Sequence, residues 1–248
     1  MFALSALIFD VDGTLAETEE LHREAFNEAF SAAALDWHWD RTLYAELLAV
    51  TGGKERIAYY QHRAGIAPAL DSAQVAALHA DKTARYTARV HARGLVLRPG
   101  IRRLLAEAKE AGLRLAIATT TSRPNVEALL VAGAPLPAFD VIAAGDEVAA
   151  KKPAPDVYLL ALQALGLPAS ACLAFEDTTA GVTSASGAGL RCVVMVSAYG
   201  GPGPFPGAAS VLTHLGDAEM PATALSGPAL PRGVADLAWL ASLAAADA

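Results

Sequence analysis

The sequence predicts a doubly wound α/β fold, in which a parallel sheet carries helices on both faces. Short apolar runs of buried-strand length alternate with segments of about ten residues that show helical periodicity. Parallel neighbours need crossover connections of this kind. The chain has 248 residues, of which 54% are apolar and 18% charged, so it can bury a sizeable core and is not intrinsically disordered.

The predicted elements follow one another in a regular order. Buried strands are expected at residues 4–9, 113–118, 141–143, 172–175 and 191–196, with helices at residues 99–111, 125–131, 154–165 and 180–188. Residues 17–93 show an Ala-rich helical pattern that a loop at Thr51-Gly52-Gly53-Lys54 interrupts. Residues 199–207 are rich in Gly and Pro and are predicted to form a surface loop without a chemical role, and residues 227–233 a linker into a last short helix through Trp239.

Polar residues follow three of the predicted strands. Asp10 and Asp12 come directly after the first strand and are followed by Gly13, which allows a sharp turn. Thr119 follows the second strand, and the pair Glu176-Asp177 ends a later one. Active sites of open α/β sheets lie at the carboxyl ends of the strands, so these side chains are expected to converge.

Charge and composition exclude several classes of partner. The net charge is −7 and the Lys and Arg residues are scattered, so the sequence offers no basic footprint for nucleic acid. No apolar run reaches the roughly 20 residues that a membrane-spanning helix needs. The first residues lack a basic leader, and Cys172 and Cys192 both lie in apolar runs. We therefore expect a cytoplasmic protein with buried free thiols, and we expect it to be a monomer.

The polar groups, taken in chain order, resemble the four motifs of the haloacid dehalogenase-like hydrolase superfamily. The first motif is Asp10-Val11-Asp12-Gly13-Thr14, and the second is the threonine that ends a strand, Thr119, followed by Thr120. The third motif is a lysine ahead of a helix, and the last is an acidic pair after another strand: Lys152 and Glu176-Asp177. Taken singly, Thr119 and Lys152 would be ordinary loop residues, but the occurrence of all four motifs in this order favours the resemblance to the family.

This resemblance implies phosphoryl transfer through an aspartyl-phosphate. Asp10 would be the nucleophile and Asp12 the general acid and base, which requires Asp12 to have the higher pKa of the two. Thr119, Thr120 and Lys152 would bind the phosphate. The implied cofactor is Mg²⁺, a hard cation with oxygen ligands. Its expected ligands are Asp10, the backbone carbonyl of Asp12, and Asp177, with Glu176 either a ligand or next to one.

Residues 16–94 resemble the small helical cap found in one class of this superfamily. The chain would then divide into a core domain, residues 1–15 and 95–248, and a cap domain, residues 16–94. The segments around Glu17 and around Gly52, Gly53 and Lys54 resemble the branch that contains β-phosphoglucomutase and the CbbY-type phosphatases. That resemblance implies a phosphorylated sugar as substrate, specifically xylulose-1,5-bisphosphate, with Lys54 at a second phosphate and Glu17 at sugar hydroxyls. We expect a structural role for His22.

Two alternatives remain open at the level of sequence. A phosphomutase of the β-phosphoglucomutase type uses the same motifs but returns the phosphoryl group to the sugar. A non-catalytic phosphate-binding regulatory module could keep the fold without turnover. Release of free phosphate from a panel of sugar phosphates distinguishes the phosphatase from the phosphomutase, and calorimetric binding of sugar phosphates without any turnover would indicate the non-catalytic module.

Overall fold

The computed structural model describes residues 4–132, 136–201 and 203–245; residues 1–3, 133–135, 202 and 246–248, all within the predicted core domain, lie outside the described residues. The strands are β1 (Ala6–Phe9), β2 (Arg114–Ala118), β3 (Val141–Ala143), β4 (Cys172–Glu176), β5 (Arg191–Met195), β6 (Ser210–Leu212) and β7 (Ala224–Ser226). The helices are α1 (Glu19–Ala32), α2 (Arg41–Leu47), α3 (Gly53–Arg63), α4 (Ser72–Arg93), α5 (Ile101–Glu110), α6 (Arg123–Ala132), α7 (Asp156–Leu165), α8 (Thr179–Gly187) and α9 (Leu237–Ala245).

The seven strands form one sheet in the order β3-β2-β1-β4-β5-β6-β7. Strands β1 to β6 pair in parallel, and β7 joins the edge antiparallel to β6. Chain order reverses direction at β1, which lies between β2 and β4, so the carboxyl end of β1 is the switch point of the sheet. The predicted doubly wound α/β fold is confirmed.

The sheet is buried on both faces, as its unbroken apolar strands require. In β1, Leu7 and Phe9 pack into one core with side chains of α5, α6 and α9, whereas Ala6 and Ile8 face a second core built with α7 and α8. This alternation follows from the two-residue period of a strand. Both cores therefore meet at the strand that carries Asp10.

The four helices between β1 and α5, residues 19–93, are called the helical segment below. They have an aromatic core of their own, in which Trp39 is fully buried. Its indole packs at 4.7 Å from the ring centroids of both Phe26 and Phe30. The asparagine Asn27 fixes the backbone of Trp39 by donating to its carbonyl at 2.9 Å and accepting from its N–H at 2.8 Å.

The structure differs from the predicted elements in three places. The loop predicted at residues 51–54 ends earlier, because Gly53 and Lys54 already form the first turn of α3. Strands β6 and β7, the last two strands on one side of the sheet, were not predicted, since each is only three residues long. The last helix extends beyond Trp239 to Ala245. Among the described residues, no helix is long and apolar enough to cross a membrane.

Arg98 holds together the connections between the helical segment and the sheet. Its buried guanidinium donates to four backbone carbonyl groups on three different stretches of chain, namely those of Gly13, Met195, Val196 and Thr213. Its own N–H donates to the carbonyl of Leu15 at 2.9 Å. The chain entering the helical segment and the chain leaving it are thus fixed to the ends of β5 and β6.

We expect Arg98→Lys to lower the free energy of unfolding by about 2–4 kcal/mol, because one ammonium cannot reach all four carbonyls and leaves buried acceptors unpaired. Chemical denaturation measures this quantity. Arg85→Lys is the matched control: Arg85 pairs with Asp81 on the surface of α4 at 2.7 Å and should change the stability by less than about 0.5 kcal/mol. Equal, small losses in both variants would contradict the role given to Arg98.

Candidate active site

The predicted site residues of the sheet meet at the carboxyl ends of three neighbouring strands. Asp10 follows β1, Thr119 follows β2, and Glu176 and Asp177 end and follow β4. All four side chains are buried. They lie together because β1 is paired with both β2 and β4, so that their ends share one edge of the sheet.

Lys152 provides the positive charge at this edge. Its ammonium donates to Asp10 Oδ1 at 2.7 Å, to the carbonyl of Ala118 at 2.9 Å and to Glu176 Oε1 at 2.5 Å. Burial opposes its charge, but the two carboxylates outweigh burial and raise the pKa of Lys152 above its usual value. The lysine therefore stays protonated beside Asp10. Tyr158 of α7 donates a second hydrogen bond to Glu176 Oε1, at 2.7 Å.

Asp10, Glu176 and Asp177 form a cluster that could hold a metal ion, with one carboxylate oxygen from each residue within 4.8 Å of the others. Burial and the charges of the other two carboxylates raise the pKa of Asp177 well above its usual range. The ammonium of Lys152 balances only part of the negative charge of these three carboxylates, and their all-oxygen donor set fits a hard divalent cation. Gly13 leaves space for the Asp177 carboxylate of this cluster: its φ is +81°, and a Cβ there would lie 2.0 Å from Asp177 Oδ2.

Asp12 points away from this cluster, towards α1. Its Oδ1 accepts from Thr18 Oγ1 at 2.5 Å and contacts His22 Nε2 at 3.0 Å, and its Oδ2 accepts from Thr121 Oγ1 at 2.5 Å. The ammonium of Lys82, a residue of α4, lies 2.6 Å from His22 Nδ1. Since an ammonium can only donate, Nδ1 accepts and Nε2 carries the proton that faces Asp12.

The pKa order of the two aspartates is the reverse of the sequence expectation. Burial raises the pKa of Asp10 to about 7 against the opposing charge of Lys152. Burial alone would also raise the pKa of Asp12, but the hydrogen bonds from His22 and from the two threonines lower it below its usual value. The hydrogen-bond donors supplied by α1 were not foreseen, and they favour the ionised form of Asp12.

His22 and Lys82 lie at the site, since His22 contacts Asp12 and Lys82 contacts His22, and the structural role expected for His22 stays a prediction. His22 stacks on Tyr86 at 3.9 Å between ring centroids, and Lys82 is buried with its pKa lowered by burial to about 7. The sequence does contain a signal for Lys82. It occupies the apolar stripe of α4, which otherwise consists of Val75, Leu78, Tyr86 and Val90, and a buried charge on such a stripe needs a partner.

A cavity of about 750 Å³ lies between this edge of the sheet and the helical segment. Of the residues predicted to bind substrate, it is lined by Gly52, Gly53, Lys54, Thr119, Thr120 and Lys152, together with the predicted metal residues Asp10, Asp12, Glu176 and Asp177. Glu17 lies elsewhere: its carboxylate accepts from the N–H of Ala198 at 3.3 Å and is 3.6 Å from Arg98 Nε. A contact between Glu17 and the sugar stays a prediction.

The two glycines of the cavity wall have a steric explanation. A Cβ at Gly52, whose φ is +99°, would lie 2.2 Å from the Glu55 carboxylate and 2.6 Å from Lys151 Nζ. These two groups form an ion pair at 3.0 Å between α3 and the loop before α7. A Cβ at Gly53 would lie 2.3 Å from His79 Nε2. The glycines thus let polar side chains of α3, α4 and the loop before α7 approach the backbone closely.

Comparison with known proteins agrees with this geometry. Residues 4–189 match the haloacid dehalogenase-like hydrolase family. Protein CbbY of Rhodobacter capsulatus is 58% identical over 199 residues, which cover 79% of this chain and 87% of that protein. A crystal structure of the D10N mutant of CbbY from Rhodobacter sphaeroides in complex with xylulose-(1,5)bisphosphate is similar with a TM-score of 0.81 and 53% identity, and covers 85% of this chain and 94% of that one.

β-Phosphoglucomutase from Clostridium difficile shares the fold, with a TM-score of 0.69 and 20% identity over 84% of this chain and 90% of that one. The resemblance inferred from the four motifs is therefore confirmed, and the chain belongs to the haloacid dehalogenase-like hydrolase family.

Proposed function

We propose that this hydrolase removes a phosphate group from a phosphorylated sugar, specifically xylulose-1,5-bisphosphate, through an aspartyl-phosphate at Asp10. The observation that carries the proposal is the buried contact between Asp10 and Lys152 at the floor of a cavity large enough for a sugar bisphosphate. Support for the substrate comes from the CbbY relatives and from the xylulose bisphosphate held by one of them.

Asp10 is the proposed nucleophile. One of its carboxylate oxygens attacks phosphorus, the bond from phosphorus to the sugar oxygen breaks, and water then cleaves the aspartyl-phosphate to release free phosphate. Lys152 neutralises Asp10 and the incoming phosphate oxygens, which would otherwise repel each other. Thr119 and Thr120, at the end of β2, complete the wall around the transferred group.

Asp12 is the proposed general acid and base. In the first half-reaction it gives a proton to the departing sugar oxygen, and in the second it takes one from the attacking water. His22 and Lys82 hold its carboxylate in position through a chain of hydrogen bonds from α4. Because the same bonds favour the ionised form of Asp12, they must weaken before Asp12 can carry the proton that it donates.

Mg²⁺ is the proposed cofactor, with Asp10 and Asp177 as ligands, the backbone carbonyl of Asp12 as a further ligand, and Glu176 next to them. When bound, the ion would offset the charge of Asp10 and of the phosphate and keep the Asp10 carboxylate ionised. The unbalanced carboxylates around Lys152 support this assignment.

A second phosphate would fit the wall opposite Asp10. Lys54 of α3 and Lys151 line that wall together with His79 of α4. Burial lowers the pKa of His79 to about 4, and the nearby ammonium groups of Lys82, Lys54 and Lys151 contribute to the shift. Lys151 is already paired with Glu55 at 3.0 Å, so Lys54 supplies the positive charge that a dianionic group would satisfy. This arrangement favours a bisphosphate over a sugar with a single phosphate.

The helical segment is proposed to form the main part of a cap domain, residues 16–94. This domain would cover a core domain of residues 1–15 and 95–248. Its residues supply the part of the cavity wall that faces the phosphate site. Such a cap keeps bulk water from the aspartyl-phosphate and provides the contacts that select the sugar. A monomeric, cytoplasmic protein remains our expectation for this activity.

Asp10→Asn should lower kcat by at least about 10⁴-fold, because an amide cannot attack phosphorus. Colorimetric release of phosphate measures turnover, and far-UV circular dichroism should show an unchanged fold. The exposed Asp36 gives the matched control, Asp36→Asn, which should keep wild-type turnover. Turnover retained by Asp10→Asn would contradict the proposed nucleophile.

Magnesium should raise the melting temperature of the protein by about 5 °C at a hundredfold excess over its dissociation constant, because it binds the folded carboxylate cluster. Asp177→Asn should remove most of this rise, and Asp36→Asn should leave it intact. Differential scanning fluorimetry with and without the metal measures both. An equal rise in wild type and Asp177→Asn would exclude Asp177 as a ligand.

The wild type should release phosphate from xylulose-1,5-bisphosphate with a kcat/KM at least about 100-fold above that for glucose 1-phosphate, since the latter leaves the second cationic wall unpaired. Conversion of glucose 1-phosphate to its 6-phosphate without free phosphate would instead indicate a phosphomutase. Calorimetric binding of sugar phosphates without turnover of any of them would indicate a non-catalytic module.

A further inference from the structure

Residues 197–200 follow β5 and Val196, and the first and last of them contact Asp177 of the candidate metal cluster. The buried Ser197 hydrogen-bonds to the Asp177 carboxylate. The N–H of Gly200 donates to Ser197 Oγ at 2.8 Å, and a Cβ on Gly200 would lie 2.5 Å from the carbonyl oxygen of Asp177. The position of this short stretch is therefore coupled to that of Asp177.

The two middle residues of the same stretch contact the helical segment and the chain that enters it. The N–H of Ala198 donates to the carboxylate of Glu17. The Tyr199 hydroxyl donates to Glu20 Oε2 of α1, and its ring packs edge-on against Tyr44 of α2 at 5.7 Å and 88°. Tyr199 and Gly200 also line the cavity.

The contact between Tyr199 and Glu20 is charge-assisted at neutral pH. Hydrogen bonding from Arg23 is the main cause that lowers the pKa of Glu20 to about 2, so its carboxylate is ionised. Burial and the hydrogen bond to Glu20 raise the pKa of Tyr199 to about 12, so the hydroxyl keeps its proton. Hydrogen bonds of a hydroxyl to a carboxylate are stronger than neutral ones.

Residues 199–207 are predicted to form a loop without a chemical role, yet Tyr199 contacts both α1 and α2. We propose that Tyr199 is a positioning residue that holds the helical segment over the cavity when a sugar bisphosphate bridges the two walls, and so determines specificity for that substrate. The proposal rests on the proposed function. A substrate that contacts only the cavity wall around Asp10 does not bridge to the helical segment. Its turnover should therefore not depend on the contact between Tyr199 and Glu20.

The test compares Tyr199→Phe, Glu20→Gln and the double variant with a matched control, Tyr59→Phe, which alters an exposed tyrosine of α3. The measured quantities are kcat and KM for xylulose-1,5-bisphosphate and for p-nitrophenyl phosphate, a small substrate with one phosphate. We expect Tyr199→Phe to lower kcat/KM about 10-fold for the bisphosphate and less than about 2-fold for p-nitrophenyl phosphate. The double variant should lose no more than the larger single loss, because the two changes share the contact between Tyr199 and Glu20, and the ion pairs of Glu20 with Arg23 and Arg41 are already lost in Glu20→Gln.

A binding measurement separates this proposal from the proposed catalysis. In an Asp10→Asn background, calorimetry should show about 10-fold weaker binding of xylulose-1,5-bisphosphate when Tyr199→Phe is added, and no weakening with Tyr59→Phe. Equal losses for both substrates, or wild-type affinity in the presence of Tyr199→Phe, would overturn the role of Tyr199. A wild type that binds the bisphosphate but releases no phosphate would refute the catalytic proposal, and the binding comparison would still decide the role of Tyr199.

Discussion

Three buried carboxylates, those of Asp10, Glu176 and Asp177, share one buried ammonium at the carboxyl edge of the sheet. Burying charges of one sign is costly unless opposite charges compensate them. Lys152 supplies part of that compensation, and the negative charge that is left over favours a bound cation. With Lys152 and such a cation in place, the positive charges at this edge also balance those of a phosphate. The surrounding fold serves this arrangement: β1 brings Asp10, β4 brings the acidic pair, and the loop before α7 brings Lys152.

The core part of the site could be predicted from the sequence because each residue stands at the end of an apolar run. A buried strand of four or five residues has a definite direction, and the polar residue after it must lie at the carboxyl edge of a parallel sheet. That reasoning placed Asp10, Thr119 and Asp177 together without any contact information, and the structure brings them together. The three-residue strands β6 and β7 carry too little pattern for the same inference.

Contacts between distant helices could not be read in this way. His22 and Lys82 are 60 residues apart, and only the packing of α1 against α4 brings their nitrogens to 2.6 Å. Against the effect of burial, hydrogen bonds from His22, Thr121 and Thr18 lower the pKa of Asp12, and local sequence cannot reveal this convergence of donors. Tyr199 was hidden in a Gly- and Pro-rich segment, where composition indicates a loop but not which helix the loop contacts. The helical segment therefore contributes the least predictable part of the site.

The central claim is that Asp10 itself receives the phosphoryl group. The most direct test mixes the magnesium-loaded protein with xylulose-1,5-bisphosphate and quenches the reaction in acid within the first turnover. Borohydride then reduces any acyl-phosphate, and mass spectrometry of the peptides identifies the residue that was phosphorylated. We expect one modified residue, Asp10, recovered as homoserine after reduction, and none in the Asp10→Asn variant. Release of phosphate in the first turnover together with modification of a different residue, or with no modified residue at any quench time, would contradict this role of Asp10.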